Sequence, residues 1–221
     1  MTGLDPEIRN LHLYSDGCRG QNHNYAVIRY LFLQVYKGQF DRTEYRLPVR
    51  GHLFLPCDRD FSVIERIKRR EEKVETPAEW TEIIRSKFTT AEMTGSDMFD
   101  FSHHFDSYFK KSVTSNEKHK FKVTEYKYFI FDAKYRLNVK FSKDMNGSVL
   151  HEFPLLKPVV LHTQPIVLPS KALYPNRNAV KRANLEDVQS LFKYLKPETV
   201  EMLSKICTID GADESGSESE G

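Results

Sequence analysis

Residues 11–36 read LHLYSDGCRGQNHNYAVIRYLFLQVY, and their pattern decides the fold class. Leu11, His12, Leu13 and Tyr14 alternate as a half-buried strand does. Ser15-Asp16-Gly17-Cys18-Arg19-Gly20-Gln21-Asn22 then reads as a turn, because glycine admits positive φ and Asn and Asp tolerate it. From Asn24 to Tyr36 the chain is apolar nearly all round, which predicts a buried helix closed by Gly38. A strand, a turn and a buried helix in that order are the opening of an α/β layer.

Working outward, a second strand is expected over 45–49, with Pro48 as its interruption. Phe61, Ile64 and Ile67 share one face of a helix that begins near Asp58 and ends about Arg70. Thr76-Pro77-Ala78-Glu79 is a capping box with proline at the first helical position, starting a helix that reaches about Phe88. Residues 1–90 are thus expected to form the α/β region. From Phe121 to Phe153 the texture is β, with Asn146-Gly147 as a hairpin signal. Prolines 154, 158, 165, 169 and 175 mark an extended connection, and two short helices are expected over 185–195 and 197–206. The expected organisation is 1–90 as α/β, 91–206 as a β-rich region with C-terminal helices, and 207–221 as a disordered acidic tail.

Composition bounds the class. The 221 residues are 39% hydrophobic, 12% aromatic and 29% charged, enough to bury a core and too aromatic for general disorder. No run of about 18 apolar residues exists, so no membrane-spanning helix is expected. The opening MTGLDPEIRN lacks a basic stretch followed by an apolar one, so a secretory leader is not expected. Cys18, Cys57 and Cys207 are odd in number and far apart, a poor disulfide framework, which makes a reducing intracellular compartment the default. The net charge of +2 conceals a tail from Asp210 to Gly221 with five acids and no base, leaving +7 on the rest. Ser215 and Ser217 in that tail each have Glu three residues on, the spacing acidophilic kinases accept.

Three groups of residues bear on function. Asp16 ends a strand and opens a turn, where a carboxylate either reaches a metal or substrate or closes the turn on amides two residues on. Asp58, Asp60 and Glu65 form an acidic group, with Asp58 and Glu65 seven residues apart on one helical face. They either add oxygen ligands to a hard cation or serve the helix as N-cap, dipole partner and ion pair with Arg69. His52, Cys57, His23 and Cys18 flank the two turns, but no C-x2-C or H-x3–5-H pair occurs, against structural zinc. No nucleophile-elbow, Walker or dinucleotide glycine pattern is present. The third group is basic: ten Lys and Arg against four acids between Phe109 and Met145, with Phe and Tyr interleaved. Lys118, Lys120, Lys122, Lys127, Arg136 and Lys140 are its candidates for nucleic-acid contact. A half-buried strand with a solvated lysine face gives the same pattern.

SDGCRGQNHN taken with RGHLFLPCDRDFSVIERIKRR is more specific than either part. Together they resemble a family of transposon-derived proteins of arthropod genomes that carries a domain of unknown function, patterned SDNCGGQNKN and GHSFLPCDRDFGxIE. That family is similar to RNase H-like DDE transposase cores. The resemblance implies an incomplete RNase H-like α/β fold in which Asp16 matches the second acid of a metal-binding triad, and Asp58, Asp60 or Glu65 the third. It implies Mg²⁺ or Mn²⁺ as cofactor if the site is active, DNA as partner, and a nuclear or cytoplasmic location. The family's first acid lies on an upstream strand, whereas only fifteen residues precede Asp16, and Gly17 replaces the usual Asn. The expectation is therefore a truncated, inactive remnant with residual nucleic-acid binding. The alternatives are a metal-dependent DNA nuclease or strand-transfer enzyme using Asp16 with Asp58 or Glu65, and a protein-interaction module.

Overall fold

The computed structural model describes residues 5, 7–48, 55–111, 113–114, 120–135, 137–160, 166–173 and 182–213. They are organised as two compact units: Met1–Leu55 with Phe99–Lys171, and Pro56–Met98 with Ala172–Gly221.

The first unit is built on a five-stranded sheet in the order β1-β2-β3-β4-β5. The strands are β1 (Asn10–Tyr14), β2 (Arg42–Arg46), β3 (Tyr128–Asp132), β4 (Asn138–Ser142) and β5 (His151–Pro154). β1 and β2 are parallel and joined through α1 (Tyr25–Tyr36); every other neighbouring pair is antiparallel. The mixed α/β class expected from residues 11–36 is therefore observed. Asn24 caps α1, its Oδ1 accepting the Val27 N–H at 3.1 Å. At the other end Gly38 takes φ +77°, and the Gly38 and Gln39 N–H groups donate to the Val35 and Gln34 carbonyls. That pair of bonds with a left-handed glycine is the Schellman stop.

β2 begins three residues earlier than expected and ends before Leu47-Pro48. Leu47 N–H still donates to the Lys127 carbonyl at 2.8 Å, and Pro48, which has no N–H, cannot extend the ladder. The Asn146-Gly147 signal does join two strands, but across residues 143–150 rather than as a two-residue turn. Asp144 organises that loop, accepting from Ser142 Oγ, the Asn146 and Ser148 N–H groups and Ser148 Oγ. These bonds hold its carboxyl at about 2. Residues 121–127, read as strand, contain a 3-10 turn at Val123–Glu125 instead.

Period-two alternation sorts the sheet into two faces. Thr43, Tyr45, Phe129, Phe131, Val139, Phe141 and Phe153 point to one face and are buried there with Ile28, Leu31, Phe32 and Leu33 of α1. α4 (Phe101–Asp106) adds Phe105, and the following residues add Phe109. Arg29, buried on α1, ties this layer together: its guanidinium donates to Asp106 Oδ1 and the Lys110 carbonyl and lies 5.5 Å from the rings of Tyr25 and Phe109.

The second unit contains α2 (Pro56–Lys68), α3 (Pro77–Arg85), α5 (Arg182–Ser190) and α6 (Pro197–Asp213). The capping box forms as expected: Thr76 Oγ1 accepts the Glu79 N–H, and Glu79 Oε2 accepts the Thr76 and Glu75 N–H groups. Lys196 donates to Glu79 Oε1 at 2.7 Å and its N–H to Glu75 Oε2, fastening the start of α3 to the start of α6. α6 runs past the expected end at Ile206 to Asp213, because Cys207 is buried and gives the extra turn an anchor. Residues 214–221 lie outside the described residues.

Candidate nucleic-acid interface

The turn between β1 and α1 is held by its own polar groups. The Cys18 carbonyl accepts from the Gln21, Asn22 and His23 N–H groups at 3.3, 2.8 and 2.9 Å. Asp16 Oδ1 accepts from Asn22 Nδ2 at 2.6 Å and from the Cys18 N–H at 3.3 Å. The second bond is the Asx turn, an amide two residues on. The Tyr45 hydroxyl donates to the Asn22 carbonyl at 3.0 Å and shares a short bond with Ser15 Oγ. Burial raises the Tyr45 phenol, which keeps it a donor. Neither Gly17 nor Gly20 takes positive φ, contrary to expectation, and a side chain at either would meet nothing within 4 Å. Hydrogen bonds, not left-handed glycines, shape this turn.

His23 closes the turn from below. It is buried, its Nε2 lies 2.6 Å from the Val123 carbonyl, and its ring meets Phe129 edge-on. Burial pushes the imidazole down, and the nearby Lys127 and Arg19 charges add to that. The bond to the Val123 carbonyl opposes that shift.

Asp58, Asp60 and Glu65 are exposed on α2, a helix with no buried residue. Pro56 is its first residue, so Asp58 sits within the first turn rather than at the N-cap, where its charge still suits the helix dipole. Asp16 belongs to the first unit and these three acids to the second. Among the described residues no three His, Cys, Asp or Glu side chains are grouped to hold a metal ion. The donors around Asp16, an amide nitrogen and a backbone N–H, are complementary to a carboxylate and not to a divalent cation beside it. Asp16 Oδ1 is thus engaged within its own turn.

The basic stretch divides by face. Phe109, Phe121, Tyr126, Phe129, Phe131 and Phe141 are all core, so they do not offer rings to a ligand. Lys120 and Lys122 are exposed, and Lys127 is half-buried behind its backbone bonds to Leu47 and Ser142. Lys122 and Lys143 share Glu125 at 3.1 and 3.3 Å. Lys140 reaches Glu152 at 3.3 Å and covers the Tyr135 ring at 4.3 Å. Lys118 and Arg136 lie outside the described residues, as does His52.

The opposite face of the sheet holds an arrangement that the sequence pattern did not single out. Register places His12, Glu44, Ile130, Lys140 and Glu152 in one row across all five strands. Tyr14, Arg46, Tyr128 and Ser142 form the row on one side, and Asn10, Arg42 and Asp132 the row on the other. Glu44 is the centre. Its carboxylate accepts from Arg42 Nε at 2.8 Å, Arg46 Nη2 at 2.7 Å and the Tyr128 hydroxyl at 2.8 Å. Burial alone would raise this carboxyl, but the bonds from Tyr128, Arg42 and Arg46 outweigh it and hold it at about 2. Arg42 also reaches Asp132 at 3.3 Å, and Arg46 stacks 4.1 Å over the Tyr128 ring. The readable signal was the strict alternation of Arg42, Glu44 and Arg46 with the core residues Thr43 and Tyr45.

A family model described as a domain of unknown function (DUF7869) matches residues 6–138. The chain belongs to the DUF7869 family. The DUF7869 match runs from before β1 to the first residue of β4, taking in the signature turn, α2, α3 and the Glu44 cluster. No curated protein and no solved structure matches the chain. Among the described residues no helix is long and apolar enough to cross a membrane.

Proposed function

We propose that this DUF7869 protein is a transposase-derived, catalytically inactive remnant of an RNase H-like fold that retains a nucleic-acid-binding surface. The observation that carries the reading is the sorting of the 109–145 stretch: its aromatic rings other than Tyr135 are buried while Lys111, Lys120, Lys122 and Lys143 stay exposed. A surface of ammonium groups contacts phosphates and displaces counterions, whatever the base sequence. The loss of strand-transfer chemistry is supported by Asp16, whose carboxylate closes its own turn.

The test is fluorescence anisotropy with labelled DNA of mixed sequence over a range of salt. Binding is expected to weaken steeply with salt. Lys120→Ala with Lys122→Ala is expected to weaken it further and to flatten the salt slope by about one for each lysine replaced. Asp16→Asn is expected to leave binding unchanged. Absence of DNA binding at low salt refutes the reading. So does Mn²⁺-dependent nicking of supercoiled plasmid that disappears in Asp16→Asn.

A further inference from the structure

We propose that the polar face of the sheet is a platform for single-stranded nucleic acid, with Tyr14 and Tyr135 as its two base-stacking rings. This deepens the nucleic-acid reading above and rests on it. Tyr14 and Tyr135 are 51% and 52% exposed, whereas the other rings of the sheet, Tyr128 included, are buried. Each has a cation beside it: the Arg46 guanidinium 5.8 Å from the Tyr14 ring and the Lys140 ammonium 4.3 Å from the Tyr135 ring. A base stacked on either ring therefore brings its phosphate to a positive charge.

The face between the rings is layered by charge. The Glu44 and Asp132 side chains are 10% and 17% exposed and lie beneath the arginines they bind, while Arg42 and His12 are 42% and 57% exposed. Glu152, 41% exposed, is engaged by Lys140 and Asn138. Glu44 and Asp132 thus orient the guanidinium groups, and Arg42 is the most exposed of the paired cations that a strand crossing the face meets. Arg42, Asp132, Tyr135, Asn138 and Lys140, with Ile130 and Leu150, outline a hollow beside the second ring, with room for an unstacked base. From strand spacing and rise the rings stand roughly 15–20 Å apart, several nucleotides along an extended strand. A duplex keeps its bases stacked inside and cannot use such rings, which is why the occupant is single-stranded.

The experiment is anisotropy titration of end-labelled oligothymidylate, and of a duplex of equal length, with the full chain. Tyr14→Ala and Tyr135→Ala are each expected to weaken oligothymidylate binding by about tenfold or more, without changing the salt slope. Tyr14→Phe and Tyr135→Phe keep the ring and are expected to bind as the parent does. Far-UV circular dichroism establishes that each variant is folded. If the parent binds and the alanine variants bind equally well while Lys120→Ala and Lys122→Ala weaken it, the platform is overturned and the wider reading stands. Tighter binding to the duplex, or loss of binding in the phenylalanine variants as well, also overturns it. If the parent binds neither probe, the wider reading has failed and the platform with it.

Discussion

Glu44→Gln isolates the energetic centre of the polar face. The folded carboxyl sits at about 2 against an ordinary 4.5, and each unit of such a difference is worth about 1.4 kcal/mol. The charged form is thus favoured by about 3 kcal/mol in the folded chain. Because the folded value is depressed, that stabilisation is complete above about pH 4.5 and disappears as the pH falls through the folded value near 2. Glutamine keeps the shape and an acceptor but leaves Arg46 without its carboxylate and Arg42 with Asp132 alone. The expected loss at neutral pH is about 3 kcal/mol, in the range seen when one partner of a buried ion pair is removed. Urea unfolding followed by far-UV circular dichroism, for both proteins from about pH 7 down to about pH 2.5, measures it. The gap should be widest above pH 4.5 and narrow steadily below it, since the parent then loses what the variant already lacks. A gap under about 1 kcal/mol at neutral pH, or one that does not close in acid, refutes the assignment of Glu44 as a stabilising buried charge.

Four further outcomes follow from packing and caps. Thr43→Val should raise stability by up to about 1 kcal/mol in the same urea assay, because Thr43 Oγ1 is buried without a hydrogen-bond partner among the described residues. Gly147→Ala should cost more than Gly38→Ala: both hold positive φ, but a Cβ at 147 would stand 3.0 Å from Tyr128 Cε1, whereas one at 38 meets open space. Costs of about 1 kcal/mol for Gly38 and about 2 kcal/mol for Gly147 are expected, read as shifts in thermal midpoint. Thr76→Ala should destabilise the second unit by about 1 kcal/mol, seen in the fluorescence of Trp80, the single tryptophan, one turn into α3. Acid should weaken the same capping box: Lys196 and the Glu75 and Thr76 N–H groups hold the Glu79 carboxyl at about 2. The Trp80 signal should therefore change as the pH falls below 4.5 toward that value in the parent and not in Glu79→Gln.

Local features were legible in the sequence and distant ones were not. β1, α1 with its Gly38 stop and the Thr76 capping box each depend on residues within a few positions of one another, and each appears where the pattern places it. The Asn22 partner of Asp16 also lay within the quoted turn, and the Asx-turn reading needed only the amide two residues on. What escaped was pairing at a distance. Nothing in residues 42–46 says that their neighbour is 128–132, so the cluster joining Glu44 to Tyr128 was invisible although every member could be read. The aromatic run 126–131 looked equally like a ligand-facing strand and a core strand, because Tyr126, Phe129 and Phe131 declare their side only once α1 lies over them. Misplaced boundaries trace to single residues: Pro48 ends β2 early, and Cys207 prolongs α6.

The interleaving of the two units carries a consequence for how the protein is made. β2 is complete by Arg46, yet its antiparallel neighbour begins at Tyr128, and the chain visits the second unit in between. On the ribosome, β1, α1 and β2 emerge with one side of β2 unsatisfied and must wait until β3 has followed. Closing so long a span is entropically only modestly dearer than closing a short one, but pairings this distant in sequence form slowly. The second unit waits in turn, since α3 meets Lys196 only once more than a hundred further residues have been synthesised. Neither unit is a contiguous segment that could be excised, so a ribosome stalled just after Met98 would hold an unfinished sheet with an open strand edge, the species most exposed to aggregation or to a chaperone.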